Sequence, residues 1–207
     1  KILRINKKKF IYLISPNRII NNNFYDDLTK LFESKKVGFF QLRLKNTKMK
    51  NLVLIGKKVK KICKKFNVKF IINDNPFLAK ILNADGCHLG QNDMDISKAR
   101  IILKNKIIGI TCHNSIKLAK DAINNNADYL AFGAFFISKT KKTRFHAKIN
   151  ILHSINKITR TPLVAIGGIN SKNYKKLLLN KANFLAISGY IWNNKKYKPS
   201  EAIKRIK

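Results

Sequence analysis

In the segment Phe40-Gln41-Leu42-Arg43-Leu44-Lys45, an amide and two cations alternate with leucines. On an extended segment that spacing points Gln41, Arg43 and Lys45 to one face, which is a clamp for an anion. The chain of 207 residues has only ten acidic residues. Two of them, Asp74 and Asp93, follow strand-like apolar runs, so they fall near the same cations. Two carboxylates beside Arg43, Lys45 and Lys141 suit a Mg²⁺ ion that also takes substrate phosphate oxygens. A helix N-cap is the alternative for either Asp taken alone. A second anion site is indicated by Gly167-Gly168-Ile169-Asn170, where glycines between an apolar run and helical spacing let backbone N–H groups approach a phosphate. Ser188-Gly189 repeats that arrangement, and a tight turn without ligand is the alternative for both.

Other reactive side chains are less specific. His113 falls at a strand end, a mouth position with its role open, whereas His88 lies inside an apolar run and reads as a packed or supporting residue. His146 and His153 have no partner in the pattern and read as solvated. Cys63, Cys87 and Cys112 are odd in number and lack CxxC spacing, which argues against a disulfide framework or zinc site and for a reducing cytoplasm. Trp192 is expected to pack the last helix.

These residues must be positioned by a repeating frame. Strand-length runs, nearly continuous in apolar residues, occur at Phe10–Ile14, Val37–Leu42, Val68–Ile72, Asp85–Leu89, Ile107–Ile110, Tyr129–Phe132, Leu163–Ile166 and Phe184–Ile187. Continuous runs suit strands buried on both faces of a parallel sheet. Helical spacing separates them, as in Leu52, Ile55, Val59, Ile62 and Phe66. Asn114-Ser115 and Asn170-Ser171 are placed to start helices. Ala84-Asp85, Ala127-Asp128 and Ala182-Asn183 announce strands in the same way, so the units look alike. Eight βα units in this length predict an α/β fold, a single-domain (β/α)8 TIM barrel over residues 1–207. An open doubly wound sheet would favour a glycine-rich turn after the first strand; the sequence there is Ser15-Pro16-Asn17. In a barrel, chemistry belongs to the loops after the strands. The residues singled out above, with Thr111 and the Ser138–Lys142 loop, fall in those loops.

Composition bounds the alternatives. Lys and Arg total 44, giving a formal net charge of +34. The cations are scattered rather than gathered in a patch or tail, so biased composition is favoured over a nucleic-acid or membrane-surface binder. An apolar fraction of 45% argues against disorder. No run of 18 apolar residues exists, and the start lacks a signal-peptide core, so a cytoplasmic protein with no membrane partner is expected.

The chain resembles the thiamine-phosphate synthase family. The resemblance is carried by Phe40–Lys45, Ile72-Asn73-Asp74, Ala84–Met94, Gly109–His113, Ala127–Gly133 with Ser138–Lys142, and Val164–Ile169, in family order; Asp85–Met94 is the most specific stretch. It implies a transferase that joins 4-amino-5-hydroxymethyl-2-methylpyrimidine diphosphate to 4-methyl-5-(2-phosphoethyl)thiazole, or its carboxylated form, in thiamine biosynthesis. Its partners are then small molecules, with no nucleic acid; monomer and homo-oligomer both stay open. By position, Asp74 and Asp93 would bind Mg²⁺. Arg43, Lys45, Asn73 and Lys141 would hold the diphosphate, with Gln41 near the pyrimidine and Thr111 near pyrimidine and pyrophosphate. Ser138 and Thr140 would face the thiazole, and Gly168, Ile187 and Ser188 its phosphate. The catalytic set is Arg43, Lys45, Thr111 and Lys141. The sequence departs from the family at Leu44, Ser15-Pro16 and Ile137-Ser138, where Glu, Thr-Asp and Pro-Thr are common. The related thiazole tautomerase shares the phosphate site but needs no diphosphate clamp or metal.

Overall fold

In a computed structural model of the chain, residues 6–19, 23–137 and 144–207 are described. Their strands are β1 (Ile11–Ile14), β2 (Val37–Leu42), β3 (Lys69–Asn73), β4 (Gly86–Leu89), β5 (Ile107–His113), β6 (Tyr129–Phe132), β7 (Leu163–Ile166) and β8 (Phe184–Ile187). All pair in parallel with their sequence neighbours, and β1 also pairs with β8, so the sheet closes into a barrel. Between them lie α1 (Phe24–Glu33), α2 (Met49–Lys65), α3 (Pro76–Ile81), α4 (Ile96–Leu103), α5 (Ile116–Asn124), α6 (Asn150–Asn156) and α7 (Tyr174–Leu179); α8 (Gly189–Trp192) and α9 (Pro199–Lys204) follow β8. The expected (β/α)8 architecture is therefore present. The clearest boundary difference is at β5, which continues through Thr111-Cys112-His113 to the rim.

The continuous apolar runs divide by residue parity. Tyr12, Ile14, Phe39, Ile71, Tyr129, Ala131, Val164, Phe184 and Ala186 fill the barrel interior. Their alternates, such as Leu13, Phe40, Ile72, Leu130, Leu185 and Ile187, join the layer beneath the helices. Both faces of each strand are thus dry, which is why the pattern does not alternate with polar residues. The barrel axis also admits one oversized ring. A Cβ on Gly109 would meet the Tyr129 ring at 1.8 Å, so only glycine lets that ring lie across β5.

The Ala-Asp and Ala-Asn pairs do a shared job at the barrel's lower rim. Asp85 Oδ2 accepts the Phe70 N–H at 2.8 Å, Asp128 Oδ2 accepts the Ile108 N–H at 2.8 Å, and Asn183 Oδ1 accepts the Leu163 N–H at 2.7 Å. Each side chain therefore satisfies a main-chain donor at the start of the preceding strand. Helix starts use the same chemistry: Asn75, Asp95 and Ser115 accept main-chain N–H bonds at the heads of α3, α4 and α5. Helix α7 begins at Tyr174, later than Asn170-Ser171, because Asn173 Oδ1 accepts the Asn170 N–H at 2.9 Å and a turn comes first. Trp192 Nε1 donates to the Ile14 carbonyl at 2.7 Å and its ring lies against Phe24, so it ties α8 to β1 and α1.

Candidate active site

The strands' C-terminal ends surround a cavity of about 630 Å³. Its walls include Gln41, Arg43, Asn73, Asp74, Asp93 and Thr111 on one side, and Gly167, Gly168, Ile187 and Ser188 on the other. The two proposed anion positions thus share one mouth.

Neither Asp74 nor Asp93 caps a helix. Asn75 takes the α3 cap from Asp74, and Asp95 takes the α4 cap from Asp93. Asp74 sits at φ +61°, with its N–H bonded to the His88 carbonyl at 2.8 Å. Asp93 Oδ2 accepts the Gly90 N–H at 2.7 Å, which closes the turn after β4. The Asp74 and Asp93 carboxyls then face each other within hydrogen-bonding reach. Burial raises the Asp74 pKa to about 6, with the Asp93 hydrogen bond and charge adding to the rise; Arg43 and Asn73 oppose it. Two carboxylates that face each other form an oxygen-only donor pair for a hard cation. Among the described residues no group of three or more His, Cys, Asp or Glu side chains gathers as a metal cage. The donor pair therefore fits a cation whose remaining ligands come from phosphate and water.

Arg43 is held on the same side. Its main-chain N–H donates to Ser15 Oγ at 2.8 Å, and its guanidinium Nη1 donates to Asn17 Oδ1 at 3.0 Å. Ser15 is buried and props the Arg43 main chain. Lys45 departs from the expected alternation. Strand pairing ends at Leu42, the chain bends, and Asn46 takes φ +52°. Lys45 lines a separate cavity with Arg18, Leu44 and Leu54, whereas Arg43 lines the mouth.

Across the mouth, Gly167 and Gly168 take φ +104° and +61°. A Cβ on Gly168 would lie 2.3 Å from the Ile137 carbonyl oxygen. Ser188 Oγ donates to the Ser15 carbonyl at 3.1 Å, and its own carbonyl receives the α8 N–H groups of Ile191 and Trp192. The Ile187 side chain belongs to the outer core, so a ligand would meet it through the main chain. Ser138, Thr140 and Lys141 lie outside the described residues.

Two mouth residues carry no functional signal in the sequence. Tyr12 and Tyr129 read as core, yet their hydroxyls meet at 2.7 Å on the cavity floor. His88, expected to support other residues, bonds Tyr129 and Thr111 through its two ring nitrogens. His113 stacks on Phe145 at 3.9 Å between centroids and lines the mouth. His153, expected to be solvated, is exposed but bonds Asn180 at 2.6 Å.

Residues 11–191 match the family described as thiamine monophosphate synthase. The chain belongs to the thiamine-phosphate synthase family. It is 70% identical over 200 residues to the thiamine-phosphate synthase of Pelagibacter ubique, covering 97% of both proteins. It is 38% identical over 188 residues to that of Erythrobacter litoralis, covering 88% of each. Thiamine phosphate pyrophosphorylase from Pyrococcus furiosus superposes with a TM-score of 0.84 at 26% identity, over 97% of this chain and 94% of the other. No helix among the described residues is long and apolar enough to cross a membrane.

Proposed function

We propose that the mouth couples 4-amino-5-hydroxymethyl-2-methylpyrimidine diphosphate to thiazole phosphate, giving thiamine phosphate and pyrophosphate. The observation that carries this reading is the Asp74–Asp93 pair: two carboxylates freed from helix capping, facing each other beside Arg43. A thiazole tautomerase, which isomerises without a diphosphate, has no use for that arrangement.

Asp74 and Asp93 would hold Mg²⁺ together with diphosphate oxygens. When bound, the cation supplies positive charge to the departing pyrophosphate. Arg43, already fixed through Ser15 and Asn17, meets the same negative charge as it develops. Asn73 and Lys141 complete the diphosphate clamp, and Lys45 adds charge from the neighbouring cavity at the rim. The electron-rich aminopyrimidine carries the positive charge left on its methylene carbon, so no protein base starts the step. Gln41 and Thr111 hold the ring. Ser138 and Thr140 face the thiazole, and its phosphate is met by the main chain at Gly168, Ile187 and Ser188. The thiazole nitrogen then attacks the methylene carbon. Holding both anions in one dry mouth is the protein's main contribution.

The chain works as one domain in the cytoplasm, on small molecules and without nucleic acid. Its surplus charge speeds capture of two phosphorylated substrates, an effect that salt screens. The test is to incubate the purified protein with both substrates and Mg²⁺ and to quantify thiamine phosphate. The product is expected only when both substrates and the divalent ion are present. A folded protein that forms none overturns the reading.

A further inference from the structure

Strand β1 lies between β2, which leads to Arg43, and β8, which leads to Ser188. Paired residues end at Ile14 with Gln41 on one side and at Leu13 with Ile187 on the other. The next residue, Ser15, is only 2% exposed although its side chain is polar. Its N–H donates to the Gln41 carbonyl at 2.9 Å, which continues the ladder by one bond.

The bond after that is made differently. In a regular parallel ladder the Ser15 carbonyl would accept the Arg43 N–H. Here Ser15 Oγ accepts it instead, at 2.8 Å, and the hydroxyl proton goes to the Pro16 carbonyl at 3.2 Å. The Ser15 carbonyl is thereby released to the other neighbour, where it accepts Ser188 Oγ at 3.1 Å. One residue thus bonds both walls, and Ser15, Arg43 and Ser188 all line the mouth. The flanking residues reinforce both arms. Asn17 Oδ1 holds the Arg43 guanidinium at 3.0 Å, and the Ile14 carbonyl holds Trp192 Nε1 of α8 at 2.7 Å. An alanine at position 15 has no side-chain acceptor, so the Arg43 N–H would lose its partner.

We propose that Ser15 is a positioning residue for the coupling reaction, holding the diphosphate side and the thiazole-phosphate side of the mouth at one fixed spacing. The proposal rests on the coupling reading above and names what sets the approach of the two substrates. Each is anchored by its phosphate end, while the new bond forms between the thiazole nitrogen and the methylene carbon. The separation of those two atoms therefore follows the separation of the anchors. Misplacing reacting groups by about 1 Å costs roughly 100-fold in rate. Ser15 acts at that scale through Arg43 and Ser188.

Kinetics and binding together test it. In Ser15→Ala, kcat per folded molecule should fall roughly 100-fold, with the KM of each substrate changed a few-fold at most. Calorimetry with inorganic pyrophosphate plus Mg²⁺, and separately with thiazole phosphate, should show each anion bound nearly as tightly as by wild type. Ser15→Thr keeps the hydroxyl and should recover most of the rate. Ser188→Ala removes the other arm and should also lower kcat while pyrophosphate affinity is kept, so it decides the matter if Ser15→Ala does not fold. A wild-type kcat in either folded alanine variant overturns the proposal. So does a rate loss matched by weaker binding of one anion, because Ser15 would then prop a single subsite. A wild type that forms no product overturns the coupling reading itself, before any variant is compared.

Discussion

The two rims of the barrel use aspartate in opposite ways. At the lower rim, Asp128 accepts the Ile108 N–H and the Arg100 guanidinium, both at 2.8 Å, and Asp85 accepts the Phe70 N–H with Lys69 at 3.5 Å. These are the only two ion pairs among the described residues. At the upper rim, Asp74 and Asp93 face each other, and burial with mutual repulsion lifts Asp74 to about 6. A carboxylate shared between a strand N–H and a cationic side chain stabilises the fold. A pair of carboxylates that face each other leaves oxygens for a cation, although Asp93 also takes the Gly90 N–H and Asp74 is bonded by Asn73. The chain spends four of its ten acids on this division, which is why function and stability separate by rim.

The comparison breaks most sharply at Asp93. Replacing Asp93 by Ala should lower kcat/KM roughly a thousandfold, through loss of a charge that acts in the transition state. The circular dichroism spectrum and melting temperature should stay near wild type. Near-normal turnover would remove Asp93 from the site. Asp128→Ala should do the converse, costing about 2 kcal/mol in urea unfolding, because it strands a main-chain donor and a partly buried guanidinium. Activity per folded molecule should be retained. If Asp128→Ala instead loses activity without losing stability, the division by rim fails.

Much of this division is legible in the sequence. Asp74 and Asp93 stand out because acids are scarce and both follow apolar runs. The barrel itself is visible because both strand faces are dry, so Phe40 and Phe39 alike are apolar. The repeated Ala-Asp signals the lower rim without revealing its role, since the N–H partner lies about twenty residues earlier, as Ile108 does for Asp128. Tyr12 and Tyr129 are illegible for the same reason at greater range: their hydroxyls are 117 residues apart in sequence. Past Leu42 ladder bonding stops and nothing enforces period two, so the alternation of Gln41, Arg43 and Lys45 in sequence does not by itself fix where Lys45 lies.

A smaller effect sharpens the upper rim. The folded-state pKa of Asp74, about 6, exceeds the usual carboxylate value near 3.8. Between those values the folded protein binds more protons than the unfolded chain, so stability falls as pH rises from about 4 to about 6 and then levels. Without divalent ions, Asp74→Asn should therefore be more stable than wild type at pH 7, by on the order of 1 kcal/mol after allowing for solvent screening. That advantage should vanish below about pH 4. Thermal melts across pH in chelator check this; an advantage independent of pH contradicts it. The smallest change is expected for Asp85→Ala. Its Lys69 partner is half exposed and more distant than Arg100 is from Asp128, so the cost should be about 1 kcal/mol and less than that of Asp128→Ala. Parallel urea titrations order the two, and a larger loss at Asp85 would reverse the account of the lower rim.

The central claim, that the upper carboxylates hold the cation, is tested most directly by the Mg²⁺ dependence of pyrophosphate release. Wild type, Asp128→Ala and Asp93→Ala are compared with both substrates saturating. The account predicts one shared half-saturating Mg²⁺ concentration for wild type and Asp128→Ala, and no recovery of Asp93→Ala at any Mg²⁺ concentration. Wild-type rate and wild-type Mg²⁺ dependence in Asp93→Ala would contradict it.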